Sequence, residues 1–271
     1  MGAACGGGSE APTATPSATA TRTASPQPSP ALTPSATVTP TETAPATATA
    51  TATASGTPSP PPSPAQVIRK GDPSRRAVAF SFDAGADAGF APQILDTLKA
   101  NGITASFGIT GKWAEENPEL LRRIVQEGHH IINHSYDHPS FTGLSTGQPP
   151  LTQAQRWEQL DRTEAIINGL TGATAKPYFR PPYGDYDDSV NADIYARGYW
   201  YNVMWTVDSR GWQGIPAEEI VQRCISLAEA GAIYVFHVGS ASQDANALPD
   251  IIAGLRAQGY IIGSVPQVLV P

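Results

Sequence analysis

The stretch His130-Ile131-Ile132-Asn133-His134-Ser135-Tyr136-Asp137-His138-Pro139 decides how the rest of this chain is read. Its apolar pair, Ile131-Ile132, reads as the middle of a buried strand, His130–His134, that ends on an imidazole. A second imidazole, His138, follows four residues later in a segment reading as a turn. Two imidazoles so spaced beyond a strand can turn into one cavity and share a divalent cation. Imidazole suits zinc, cobalt, nickel or iron better than calcium or magnesium. Alone, such a pair is more often a strand cap and a surface turn, so its surroundings decide.

Upstream, Leu120-Leu121-Ile124-Val125 starts after Pro118 and stops at Gly128, the end chemistry of a helix. This alternation extends in both directions. Strands are expected at Val78–Phe82, Ala105–Ile109, His130–His134, Tyr178–Arg180, Asn202–Val207, Ile233–Phe236 and Tyr260–Val265. Helices are expected around Ile94-Leu95-Leu98 after Pro92, and from Thr152 through Trp157, Leu160 and Ile166. Another runs through Ile220, Val221, Cys224 and Leu227, between Pro216 and Gly231. Strands alternating with helices imply a parallel sheet. Seven such units imply an α/β barrel, closed or nearly so, rather than an open sheet.

In that frame Asp83 follows the first strand, His134 ends the third and Arg180 ends the fourth. Asp208 follows the fifth and His237 the sixth. All five fall at strand carboxyl ends, where barrel enzymes build their active sites. Structural polar residues would scatter instead. His129 and His130, at the opposite end of their strand, read as structural.

Composition changes abruptly near residue 67. Residues 9–66 are almost entirely Ala, Thr, Pro and Ser, with no aromatic residue and only Glu10, Arg22 and Glu42 charged. Such a segment buries too little apolar surface to offset its ordering entropy, so residues 1–66 read as a disordered tail and spacer. Gly2-Ala3-Ala4-Cys5-Gly6 resembles the end of a bacterial lipoprotein signal, although no apolar h-region stands before it. The expectation is a membrane tether through a lipidated Cys5 and an extracellular or cell-envelope location. No segment is apolar for long enough to cross a bilayer. Cys224 reads as a core residue, and two cysteines this far apart give no disulfide framework. Residues 67–271 suffice for one domain with a full core. They carry −6 of the formal −7, and without a basic stripe nucleic-acid binding is excluded.

The domain resembles the NodB-like polysaccharide deacetylases, carbohydrate esterase family four, from about Ala77 to Val268. The resemblance rests on five ordered motifs. They are Ser81-Phe82-Asp83-Ala84-Gly85, His134-Ser135-Tyr136-Asp137-His138-Pro139, Arg180-Pro181-Pro182-Tyr183-Gly184, Asp208-Ser209-Arg210-Gly211-Trp212 and Val235-Phe236-His237. It implies a distorted (β/α)7 barrel and hydrolysis of N-acetyl groups on a polysaccharide, peptidoglycan or a chitin-like polymer. It also implies roles: Asp83 as general base, His134 and His138 as metal ligands, and Arg180 as the partner of the base. Tyr183 would help hold the oxyanion through its backbone N–H, Trp212 and Val235 would wall the acetyl pocket, and His237 would be the general acid. The cofactor implied is a divalent metal, zinc first, with cobalt, nickel or iron as alternatives.

Two positions depart from the family pattern. The family's usual second Asp of the first motif, a metal ligand, is Ala84 here. Asp87, in the lengthened Gly85-Ala86-Asp87-Ala88-Gly89 loop, is the candidate third ligand. The acid that usually precedes the tryptophan and orients the histidine is Gly211 here, and Asp208 or Asp244 could replace it. Two other readings use the same scaffold: an O-acetyl esterase on acetylated xylan, and a catalytically impaired carbohydrate-binding barrel. Against the last stands the presence of Asp83, Arg180 and His237 together, each costly in a barrel mouth without a task.

Overall fold

The computed structural model describes residues 64–85 and 87–269. The tail read over residues 1–66, Cys5 included, lies outside these except for its last three residues. Ala65 is already buried, its N–H donating to Asn191 O.

Among the described residues nine strands form one parallel sheet: β1 (Gln66–Ile68), β2 (Ala77–Ala84), β3 (Ser106–Ile109), β4 (His130–Asn133), β5 (Tyr178–Phe179), β6 (Tyr201–Val203), β7 (Val207–Asp208), β8 (Ile233–His237) and β9 (Ile261–Gly263). They pair in the order β1-β6-β5-β4-β3-β2-β8-β7, and β9 joins the first half of β2. The same residues form eight α-helices, the last of which follows β9: α1 (Ala91–Ala100), α2 (Gly111–Glu116), α3 (Pro118–Gln126), α4 (Gln153–Thr171), α5 (Asp188–Ala196), α6 (Ala217–Ser226), α7 (Asp244–Ala257) and α8 (Val265–Leu269).

The expected strand Asn202–Val207 is in fact two. β6 pairs with β5 and β1 near one edge of the sheet, and β7 pairs with β8 at the other. Between them, Met204 N–H donates to Ile68 O at 2.7 Å and Thr206 N–H to Ile233 O at 3.0 Å. The segment thus steps from one edge of the sheet to the other and draws the edges together. An antiparallel bridge between Lys70 and Ala232 spans the same seam. The result is a curled, incompletely closed parallel sheet, the distorted (β/α)7 barrel anticipated, with β1 as an addition.

β2 shows how the strands divide their side chains, because neighbours on a strand point to opposite faces. Val78, Phe80, Phe82 and Ala84 join the cluster packed under the helices. Phe80 meets Phe236 at 5.1 Å and Phe82 meets Phe107 at 5.3 Å between ring centroids. Full burial of each such ring contributes about 1.5–3 kcal/mol. Ala77 and Ala79 face inward, packing with Ile68, Ile132, Val203, Ile233, Val265 and Val268. The same inward row continues through Ser81 to Asp83 at the mouth. The period of two carries Asp83 to the carboxyl end of the barrel.

Candidate active site

The expected residues converge on one cavity of about 720 Å³, within the range of ligand sites. Asp83, Asp87, His134, His138, Tyr183, Asp208, Trp212, Val235 and His237 all line it. Arg180 lies behind, fully buried.

Arg180 divides its donors three ways. Nη1 donates to Asp83 Oδ1 at 2.7 Å, Nη2 to Ser81 Oγ at 2.8 Å and Nε to Val203 O at 3.0 Å. Burial pushes the Asp83 carboxyl up, but Arg180, then His134 and His237, outweigh it and hold it below its ordinary value. Asp83 is therefore an ionised carboxylate with one oxygen committed and Oδ2 turned toward His134 Nε2, 3.7 Å away.

His134 is oriented from behind as well. Its Nδ1 stands 2.8 Å from Arg180 O, which can only accept, so Nδ1 carries the proton and Nε2 keeps its lone pair. The turn to His138 is fixed by side chains. Asn133 Oδ1 accepts from Ser135 N–H, Ser135 Oγ accepts from His138 N–H, and Gln159 Oε1 accepts from the N–H groups of Tyr136 and Asp137. Ser135 and His138 both take positive φ, 66° and 64°. Such backbone is costly for residues other than glycine and clusters at functional sites. The turn brings the two imidazoles to 4.8 Å between centroids, edge to face. Burial pushes both below their ordinary values, His138 to about 3, so both rings are neutral and able to ligate. Tyr183, another positive-φ residue at 60°, lays its half-exposed ring 4.6 Å from His138.

This donor set fits a divalent cation through two nitrogens. The expected third ligand is not placed as one. Asp87 Oδ1 accepts from Ser240 N–H at 2.8 Å and Oδ2 from Ser240 Oγ–H at 2.5 Å, so both oxygens are engaged. Among the described residues no group of three His, Cys, Asp or Glu side chains forms a metal-holding cluster. Ala84 is fully buried in the cluster under the helices.

Asp208 is likewise at the cavity but spoken for: Oδ1 accepts from Arg210 N–H at 2.8 Å. The carboxylate that ion-pairs with His237 is that of Asp244, with Oδ2 3.8 Å from Nδ1, beyond hydrogen-bond length. Burial alone would lower His237; Asp244 first, then Asp83 and Asp208, outweigh it and raise it above its ordinary value. Sequence reasoning did not single out Ser81, Ser145 or Trp205. Ser81 lies under the site, bonded to Arg180, and Ser145 and Trp205 line the cavity. The inward phase of β2 is the one signal that could have found Ser81.

The residues that read as structural lie away from the cavity. His129 Nδ1 accepts from Ala105 N–H, and His130 stands 3.1 Å from Ser106 Oγ with its ring against Tyr178. Cys224 is buried in the core.

Residues 70–201 match the family described as Polysaccharide deacetylase. The uncharacterized protein YlxY of Bacillus subtilis is 33% identical over 203 residues, which cover 74% of this chain and 60% of that protein. The peptidoglycan-N-acetylmuramic acid deacetylase PdaA of Bacillus subtilis is 31% identical over 202 residues, 73% of either chain. The solved PdaA structure aligns with a TM-score of 0.67, covering 75% of this chain and 84% of that one. A carbohydrate esterase family four pseudoenzyme from Bacillus anthracis, at 29% identity, aligns with a TM-score of 0.69 over 77% and 70%. Family membership thus spans the barrel, and the chain belongs to the NodB-like polysaccharide deacetylases, carbohydrate esterase family four.

Proposed function

We propose that this chain removes N-acetyl groups from a cell-envelope glycan, peptidoglycan first and chitin-like oligomers second, with a divalent metal as cofactor. The observation that carries this reading is the ionised Asp83, clamped by Arg180, with its free oxygen 3.7 Å from an imidazole nitrogen whose lone pair is open. His134 Nε2 and His138 would hold the metal, and Asp87 would join them only by releasing Ser240. The bound cation supplies a water of lowered pKa and polarises the acetyl carbonyl.

The chain's own residues do the rest. Asp83 accepts the proton of the attacking water, and Arg180 keeps that carboxylate turned to the cavity. The Tyr183 backbone N–H meets the carbonyl oxygen as its charge grows. Val235 and Trp212 exclude water from the acetyl methyl. His237 returns a proton to the departing nitrogen, so that acetate and a free amine result. A placed acid or base typically contributes about 10²–10⁴-fold. In this reading residues 1–66 are a spacer between a lipid anchor at Cys5 and the wall.

A second reading has a specific observation behind it. With alanine at 84 the metal is left two protein nitrogens, and one protein of similar fold is a pseudoenzyme. Acetate release from peptidoglycan, chitooligosaccharide and acetylated xylan, with and without a chelator, separates the possibilities. Chelator-sensitive release from peptidoglycan or chitooligosaccharide is expected. Binding of these glycans without acetate release would establish the inactive barrel, and release from xylan alone the esterase.

A further inference from the structure

Around the cleft two buried side-chain atoms have no hydrogen-bond partner: Nδ1 of His237 and Oδ1 of Asp244. They belong to the pair whose closest approach is 3.8 Å. Asp244 is fully buried, and its Oδ2 already accepts from His237 N–H at 2.8 Å and Ser209 Oγ at 3.1 Å. A buried carboxylate with a bare oxygen is costly unless a cation faces it. The imidazole of His237 is that group. Asp83 and Asp208 face the same ring, and Arg180, the nearby guanidinium, is spent on Asp83.

Gly211 explains how the carboxylate got there. A Cβ at this glycine would lie 2.4 Å from Asp244 Oδ1, 2.5 Å from Asp244 Cγ and 2.5 Å from Ser242 Oγ. No side chain can be rooted at 211 while Asp244 holds its place. The two positions compete for one space beside Nδ1 of His237.

We propose that Asp244, seated in the space that Gly211 leaves open, is the positioning residue that turns His237 and keeps its proton available to the leaving amine. The proposal rests on the deacetylase reading above. The proton on Nε2 passes to the amide nitrogen as the C–N bond breaks and its electron pair stays on nitrogen. His237 is left neutral with Nδ1–H toward Asp244, which remains ionised throughout, as in other histidine–carboxylate pairs. The plain alternative is that Asp244 merely places an acid in the first turn of α7, where it favours the helix dipole.

The test compares acetate release by wild type, Asp244→Asn, Gly211→Asp and the double variant Gly211→Asp/Asp244→Ala. Asp244→Asn keeps the shape and loses the charge, and should lower kcat about 10²-fold with little change in KM. Gly211→Asp alone should also be impaired, because both carboxylates cannot fit. The double variant moves the acid to position 211 and should recover at least about 10-fold over Asp244→Asn. A stabilising role alone predicts a lowered Tm with kcat kept. Wild-type kcat in Asp244→Asn overturns the proposal. If wild type releases no acetate, the deacetylase reading is what fails. The imidazole 15N signals of His237 then decide: protonated Nδ1 and a higher titration midpoint than in Asp244→Asn are expected, and identical curves overturn the pairing.

Discussion

Arg180 shows how much of the cleft one side chain controls. Its guanidinium turns Asp83, its carbonyl fixes the tautomer of His134, and Nε and Nη2 anchor it to Val203 O and Ser81. Removing one partner of a buried ion pair leaves the other charge uncompensated. Arg180→Met should lower the unfolding free energy by about 3 kcal/mol, read from the urea midpoint. Arg180→Lys should rescue little, because an ammonium cannot reproduce a fork of planar donors. Asp83, His134, Arg180 and His237 were legible in the sequence from their place at strand ends, and His138 from its spacing to His134. The hydrogen-bonding partners of the remaining carboxylates were not. Asp87 closes on Ser240 rather than on the imidazoles, and Asp244 outcompetes Asp208 for His237. Those outcomes depend on which groups meet through space, and on the missing Cβ of Gly211, which no local pattern records.

Among the elements, α4 links fold to site. It opens at Thr152, as expected from the sequence, and the structure adds a reciprocal capping box between Thr152 and Gln155. Thr152→Ala should cost about 1 kcal/mol, measured by urea unfolding, and leave kcat unchanged. Gln159, two turns along, holds the N–H groups of Tyr136 and Asp137 in the loop between the imidazoles. Gln159→Leu should weaken metal binding about 10-fold by calorimetric titration while kcat at saturating metal is kept. Four helices went unread, each for a reason. α2 has six residues, capped by Thr110 accepting from Trp113 N–H, and α8 has five. α5 has nine residues, capped by Asp187 accepting from Val190 N–H. α7 is buried on several faces and carries Pro249, so it lacks the one-sided pattern that marks a surface helix. β1 escaped notice because it begins against the Pro- and Ala-rich tail.

At the scale of the molecule, the pleat of β2 sends aromatic bulk outward and polar chemistry inward, and the seam at Met204–Thr206 closes the curl beneath the site. Counting alternations recovered the barrel from sequence. The splitting of one strand across two sheet edges was not recoverable, because it is set by hydrogen bonds to Ile68 and Ile233, far away in the chain. Burial holds His129, His130, His134 and His138 all below their ordinary values. The unfolded chain takes up protons on these groups near pH 6.5 that the folded chain refuses. Stability of the metal-free protein should therefore be full above that pH and fall as the pH drops below it, for His130 and His138 down to about 3, by up to about 1.4 kcal/mol per unit for each imidazole. Asp83 adds a loss lower still, as pH falls through its depressed value. His237, held high, works in the opposite sense, since its contribution is present below pH 6.5 and lost as pH rises through its raised value. The urea midpoint at pH 5 should lie below that at pH 7, and equal midpoints would contradict this balance.

In the proposed function, an ionised Asp83 beside the two imidazoles that would hold the metal activates water for amide hydrolysis. The most direct measurement is acetate release from N-acetylated peptidoglycan by wild type and Asp83→Asn, side by side at saturating zinc. Metal-dependent turnover is expected in wild type, with a loss of about 10²-fold or more in a variant that stays folded. Equal turnover by the two proteins would contradict it.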